Sequence, residues 1–424
     1  MRSMVDSVAA AARPPRLASL DTMRGLVIAL MLLVNMTWNA AALPAQLFHV
    51  PWNAPEQGAT LTDLVFPWFV FMMGAAVPLS VRSGRGRGCS AAAMLRGATL
   101  RGAKIYLWGV LLTIASYATT RPITWRSLFE WNILQLIGVA YVVTVAVWLL
   151  PRAGKIAFVV ATLLAKWATL LLPWEWVSQI VTPRPPAGAP TGPGTWAHFD
   201  AIGQLLHGDY VPVATLSSLL IGWIGMADQF LPLATIAVLG GLATECLVPP
   251  VPLPASLGRE ARYLPAARLA ALGLSLLLIA VLLQWGYQPE GGGLWGTATA
   301  PYSKWFFTPA YCLLAAGSAT LLLAGCHASI DIGGLPGTAW LQAMGRNALA
   351  VYVGAELSFK LIFAKWLVPL PDGGSDSIAA GVQAWLGTLT GSPAAASLGW
   401  ALLWIVGWAA IAWRLDRRGI YWRV

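Results

Sequence analysis

The chain has 424 residues, 58% hydrophobic and 10% charged, with a formal net charge of +10. An ordinary soluble domain carries roughly 25% charged residues, so a water-soluble globular enzyme is excluded. The basic excess lies in short segments between apolar runs and not along one amphipathic face, which excludes a nucleic-acid surface and points to loops on the cytoplasmic side of a membrane.

Apolar segments of about 20 residues recur from end to end. They predict an all-α polytopic membrane protein, a single bundle of about 10 transmembrane helices, or 11 if residues 231–248 also cross. Residues 1–20 read as a cytoplasmic tail without the apolar core of a cleaved signal, 21–416 as the transmembrane domain, and 417–424 as a second cytoplasmic tail. Spans are expected at 22–42, 61–81, 98–118, 132–150, 155–173, 211–228, 265–286, 305–325, 338–363 and 395–414.

The first span opens with Asp21 and Arg24, which can pair at i, i+3 along one helix face, and carries Asn35 near its far end. The bland reading of the pair is a helix-start carboxylate and a cytoplasmic arginine. The loop that follows holds His49, Trp52 and Asn53, and the second span starts at Asp63. A neutral imidazole can deprotonate an attacking amine or hydroxyl, or accept an acyl group and pass it on; a carboxylate beside it orients the ring. His49 and Asp63 are therefore the catalytic candidates, with Asn35 placed to orient the imidazole or bind a carbonyl, and Asn53 to hold substrate polar groups. A loop histidine without a partner is the competing reading.

Arg82, Arg85, Arg87, Arg96 and Arg101 cluster between the second and third spans and can hold the phosphates of a nucleotide-bearing donor, although a cytoplasmic loop explains them more simply. The glycines between them are no dinucleotide fingerprint, because no strand precedes them. With Arg13, Arg16 and Arg24 before, and Arg152 and Lys155 after, the charges alternate from loop to loop, which puts both termini in the cytoplasm and His49 outside. Residues 174–210, rich in Pro and Gly, are expected as an extracytoplasmic loop. Residues 229–262 are expected as a non-crossing or re-entrant cytoplasmic insertion, which keeps Arg259, Arg262 and Arg414 on the inner side.

Lys166 lies mid-span with no local partner and must face the protein interior or reach for the interface, while Glu356 and Lys360 can pair within one helix. Cys89, Cys246, Cys312 and Cys326 lack metal-ligand spacing, and no metal is expected.

Three pieces occur in order: Leu20-Asp21-Thr22-Met23-Arg24-Gly25, then His49 with Trp52-Asn53, then Asp63-Leu64-Val65-Phe66-Pro67-Trp68-Phe69. With Gln135 in Leu134-Gln135-Leu136, Lys304 in Tyr302-Ser303-Lys304, and Gly345-Arg346-Asn347, the sequence resembles the heparan-α-glucosaminide N-acetyltransferase family and its bacterial relatives. The resemblance implies an acetyltransferase of the bacterial inner membrane. Cytosolic acetyl-CoA would give its acetyl group to an amino sugar, of glucosamine or N-acetylglucosamine type, on the periplasmic side. It implies His49 as the active histidine, Asn35 and Asp63 as its neighbours, and Trp52, Asn53, Asp21, Arg24, Gln135, Lys304 and Asn347 as substrate-binding positions. It also implies a homodimer in the lipid bilayer. Leu136 departs from the family, where an arginine is common after the glutamine. The alternative reading is an inner-membrane transporter of amino sugars or muropeptides that uses the same outward cavity.

Overall fold

The computed structural model describes residues 17–37, 43–50, 58–117, 131–181, 191–192, 195–207, 226–248, 261–285, 302–370 and 374–422. Helix α1, Ala18–Met36, has no side-chain cap from Leu17. Asp331 substitutes for one, accepting from the backbone N–H and the hydroxyl of Ser19. Helix α2, Leu61–Gly86, starts at a capping box: Thr60 accepts from the Asp63 N–H while the Asp63 carboxylate accepts from the Thr60 N–H. Each bond satisfies an amide that the first helical turn leaves without a partner.

Helices α3 (Ala91–Tyr117), α4 (Ile133–Trp148) and α5 (Arg152–Leu170) follow. The segment expected as an extracytoplasmic loop rich in Pro and Gly contains two short helices, α6 (Trp174–Ile180) and α7 (Trp196–His207). Next come α8 (Ala227–Leu247), α9 (Leu264–Trp285) and α10 (Pro309–Cys326), which continues into a π turn at His327–Ile332. The chain ends with α11 (Ala339–Arg346), α12 (Ala348–Ser358), a three-residue antiparallel ribbon pairing Leu367 with Ser377, α13 (Ile378–Thr390) and α14 (Pro393–Arg417).

Among the described residues seven helices are long and apolar enough to cross a membrane: α1, α2, α5, α8, α9, α10 and α14. The expected count of about 10 is therefore not reproduced among the described residues, and four expected spans account for this. α4 is apolar but has 16 residues, and α3 is long but carries Arg96, Arg101 and Lys104. The expected span at 338–363 is two helices, because Asn347 leaves the helical region (φ −112°, ψ 24°) between them. The expected span at 211–228 lies almost wholly outside the described residues.

α8 falls in the stretch expected as a non-crossing or re-entrant insertion, and it is long and apolar enough to cross. It packs lengthwise against both α2 and α5. A Cβ at Gly74 would lie 1.9 Å from the Ala237 carbonyl oxygen, and one at Gly240 would lie 2.2 Å from that of Phe71, so only glycine allows this backbone approach. The Thr244 hydroxyl donates to the Ala75 carbonyl at 2.8 Å. Against α5 the contacts form a ladder: Lys166 with Asp228, Thr162 with Thr235, and Lys155 with Glu245 at 3.1 Å. α8 thus runs antiparallel to α5 over the same depth. Of the features that read as marks of an insertion, Gly240 makes the close crossing with α2, Gly241 packs against the Trp148 ring of α4, and Glu245 is the partner of Lys155.

The core is the set α1, α2, α8 and α10. Tyr311 of α10 donates to the Asp63 carbonyl at 2.6 Å, and Trp68 of α2 donates to Ser318 of α10 at 2.9 Å. α9 lies at the edge, with Leu274 and Leu278 about 60% exposed, a face suited to hydrocarbon and not to water.

Candidate active site

The site forms where the linker after α1 folds over the start of α2. His49 Nδ1 lies 2.8 Å from Asp63 Oδ1. Asp63 Oδ2 accepts from the Val50 N–H at 3.2 Å, the Thr60 N–H at 3.1 Å and the Thr60 hydroxyl at 2.9 Å. Those three donors and burial to 1% exposure lock the carboxylate in one orientation. Oδ1 is left for the imidazole, and a proton on Nδ1 directed at it would leave the Nε2 lone pair to react. The His49 side chain is 46% exposed, so that nitrogen is accessible.

Lys304 reaches the same point from the turn before α10. Its Nζ lies 2.9 Å from His49 Nδ1, 3.3 Å from Nε2 and 3.7 Å from Asp63 Oδ1. Burial holds the Lys304 ammonium below the usual lysine range, against the opposing pull of Asp63. The turn is pinned by Trp305 Nε1, which donates to the Val50 carbonyl at 3.1 Å. Phe307 at φ 45° is the one non-glycine residue with positive φ among those described, so the turn holds local strain beside the imidazole.

The other predicted residues divide by place. Asn35 stands on the same side of the bundle, but its amide donates to Glu356 at 3.1 Å and not to the imidazole. Glu356 in turn faces Lys360 at 3.6 Å, as expected from their spacing, and Lys360 donates to Ser116 at 2.9 Å. Asp21 and Arg24 pair at 3.2 Å, at the opposite end of α1 from His49. Gln135 is fully buried between α3 and α4, where a Cβ at Gly109 would strike its amide oxygen. Asn347 is 1% exposed, and its Oδ1 has no hydrogen-bond partner among the described residues. Trp52 and Asn53 lie outside the described residues.

Arg24 lines a cavity of about 380 Å³ with Arg101, Arg346, Tyr141 and Trp422. One wall is α2 from Ser80 to Phe69, about 16 Å of helix. Arg101 donates to the Tyr141 hydroxyl at 3.0 Å, and Arg346 pairs with Asp416 at 2.6 Å. The cavity is therefore basic at one end and apolar along its length. Asp63 and Arg85, near the two ends of α2, are about 33 Å apart along its axis.

Sequence reasoning placed His49 and Asp63 together but missed Thr60 and Trp305. The capping box, a Thr three residues before an acidic residue, was a readable signal for Thr60. Trp305 had none, because its partner is a distant backbone carbonyl.

The family described as "Heparan-alpha-glucosaminide N-acetyltransferase, catalytic" matches residues 16–187. That stretch contains His49, Asp63, Arg24 and Gln135, and ends before Lys304. Heparan-alpha-glucosaminide N-acetyltransferase of Homo sapiens is 37% identical over 139 residues, 33% of this chain and 20% of that protein. The Mus musculus protein of the same name is 37% identical over 128 residues, 30% of this chain and 18% of that protein. The chain thus spans about a fifth of the length of the curated relatives it matches. The resemblance read from the motifs is borne out over this N-terminal part.

Proposed function

We propose that the protein is a transmembrane acetyltransferase of the bacterial inner membrane. It takes the acetyl group of cytosolic acetyl-CoA and passes it to an amino sugar of glucosamine type on the far side. The observation that carries this reading is the Asp63–His49 pair, an exposed imidazole held against a buried carboxylate, within the stretch that matches an acetyltransferase family.

The donor's phosphates fit the basic end of the cavity, where Arg24, Arg101 and Arg346 supply planar, permanently charged donors. Its pantetheine arm fits the apolar wall along α2. At the other end, Asp63 holds the imidazole and stabilises its positive form. His49 then removes a proton from the acceptor as it attacks, or carries the acetyl group in between. Asn35 and Glu356 face the same side and are suited to sugar hydroxyls. Both termini are cytoplasmic in this arrangement, with α8 descending to place Glu245 beside Arg82, Arg85 and Lys155.

Purified protein given acetyl-CoA and glucosamine will yield a product heavier by one acetyl group, and His49→Ala will abolish it without loss of thermal stability. Full turnover by that variant would remove His49 from the chemistry.

A further inference from the structure

The end of the bundle opposite His49 holds a second basic cavity, of about 230 Å³, which the proposed reaction does not use. It lies between α2, α4, α5 and α8, and Arg82, Arg85, Lys155 and Glu245 supply its charges. No residue lines both this cavity and the one that holds Arg24. The two open on different faces of α2: Met73, Val77 and Ser80 border one, and Pro78, Val81, Arg82 and Arg85 the other.

We propose that this cavity binds the phosphate of an anionic phospholipid headgroup in the leaflet at the end opposite His49, with the acyl chains outside along the helices. The site stands independently of the acetyltransferase reading.

Depth places it at a membrane surface. α2 is long and apolar enough to cross, and Arg82 and Arg85 stand about 28 and 33 Å along its axis from Asp63. A bilayer's hydrocarbon core is about 30 Å thick, so with the start of α2 at one boundary the two guanidinium groups reach the headgroup layer of the other.

The charges call for an anion. Lys155 is 8% exposed and is fixed twice, 3.1 Å from Glu245 and 3.8 Å from the centre of the Trp148 ring. Glu245 is thereby engaged, and neither guanidinium of Arg82 and Arg85 has a hydrogen-bond or ion-pair partner among the described residues. Three residues apart on one helix, they repel each other until an anion lies between them, and their planar forks match phosphate oxygens. The gathering of basic residues on one side of a membrane accounts for their number, but not for two of them converging on a cavity lined by a buried lysine.

Size and lining select a lipid head. Sites that enclose a whole small molecule have roughly 300–1,000 Å³, so this one takes a phosphate with its neighbouring atoms and leaves the rest of the ligand outside. Pro78, Leu79 and Val248 border the charges. A free nucleotide would set its ribose and base against that apolar rim, whereas a phospholipid sets hydrocarbon there. Basic pockets between spanning helices suit anionic headgroups for this reason.

The test uses the full chain, purified and delipidated in detergent, with dioleoyl phosphatidylglycerol as probe and zwitterionic dioleoyl phosphatidylcholine as control, and native mass spectrometry reads bound lipid against concentration. Wild type is expected to prefer phosphatidylglycerol. Arg82→Gln and Arg85→Gln each weaken its binding about 5-fold and the double variant about 30-fold, while Arg87→Gln, in the same loop but outside the cavity lining, changes it less than about 2-fold. Phosphatidylcholine binding that is unchanged in every variant shows that the fold is kept. Equal binding of the two lipids by wild type, or a loss in Arg87→Gln as large as in Arg82→Gln, would overturn the site. Inorganic phosphate or acetyl-CoA that raises the thermal midpoint of wild type as far as phosphatidylglycerol does, with the same dependence on Arg82 and Arg85, would give the cavity to a soluble phosphate ligand and overturn the lipid as its occupant.

Discussion

Asp63 has two tasks at one carboxylate, and a single substitution separates them. Asparagine keeps the shape but replaces one oxygen by a donor. It either loses the Val50 and Thr60 bonds or presents an N–H to the imidazole, which flips the tautomer. Asp63→Asn is expected to cut kcat on the order of 1,000-fold in the product-mass assay, a general-base-sized loss. It is also expected to lower stability by about 1–3 kcal/mol, since it weakens a buried set of charge-assisted bonds. Thr60→Val removes one of those donors and the helix cap, and is expected to cost about 1–2 kcal/mol, measured as a lowered midpoint of thermal unfolding in detergent. The imidazole and its carboxylate were legible in the sequence because the linker between two spans is short. Lys304 entered only through a resemblance, since 255 residues separate it from His49 and no spacing rule reaches that far. Asn35 was expected at the imidazole and stands at Glu356, because which neighbour an amide meets depends on helix rotation, which no apolar period specifies.

Among the elements, α8 best separates pattern from packing. Its glycines and its acidic residue looked foreign to a span, yet they are what lets it lie against α2, α4 and α5. Gly74→Ala places a Cβ 1.9 Å from the Ala237 oxygen and must push the two helices apart. A loss of about 1–3 kcal/mol is expected, of the size seen for overpacked cores, read as a fall in the thermal midpoint in detergent. Lys166→Met tests the ladder with α5. It leaves the Asp228 carboxylate buried without its cation and is expected to destabilise by about 3–5 kcal/mol, whereas replacing both partners by apolar residues of similar volume restores most of the loss. A double variant as unstable as the single one would contradict the pairing. The long apolar runs of α1, α2, α5, α9, α10 and α14 were legible by length and composition alone. The break at Asn347 was not, because Gly345 and Asn347 are tolerable within a span and become a break only where α11 crosses α1 closely enough for a Cβ at Gly345 to meet the Asp21 carbonyl.

For the whole molecule, the arrangement of charge ties the two ends together. Arg82, Arg85 and Lys155 gather with Glu245 at one end of the bundle, while His49, Lys304 and Asp63 sit at the start of α2, its other end. Under the proposed function donor and acceptor would enter at opposite ends of the bundle, so sidedness is the property to test. The most direct measurement uses proteoliposomes holding the protein in one orientation, with acetyl-CoA supplied only to the face bearing Arg82 and glucosamine only to the face bearing His49. The expected result is acetylated sugar that accumulates on the His49 face at a rate lost in His49→Ala. Acetylation only when both substrates share one face, or unmodified glucosamine crossing to the donor side, would contradict it.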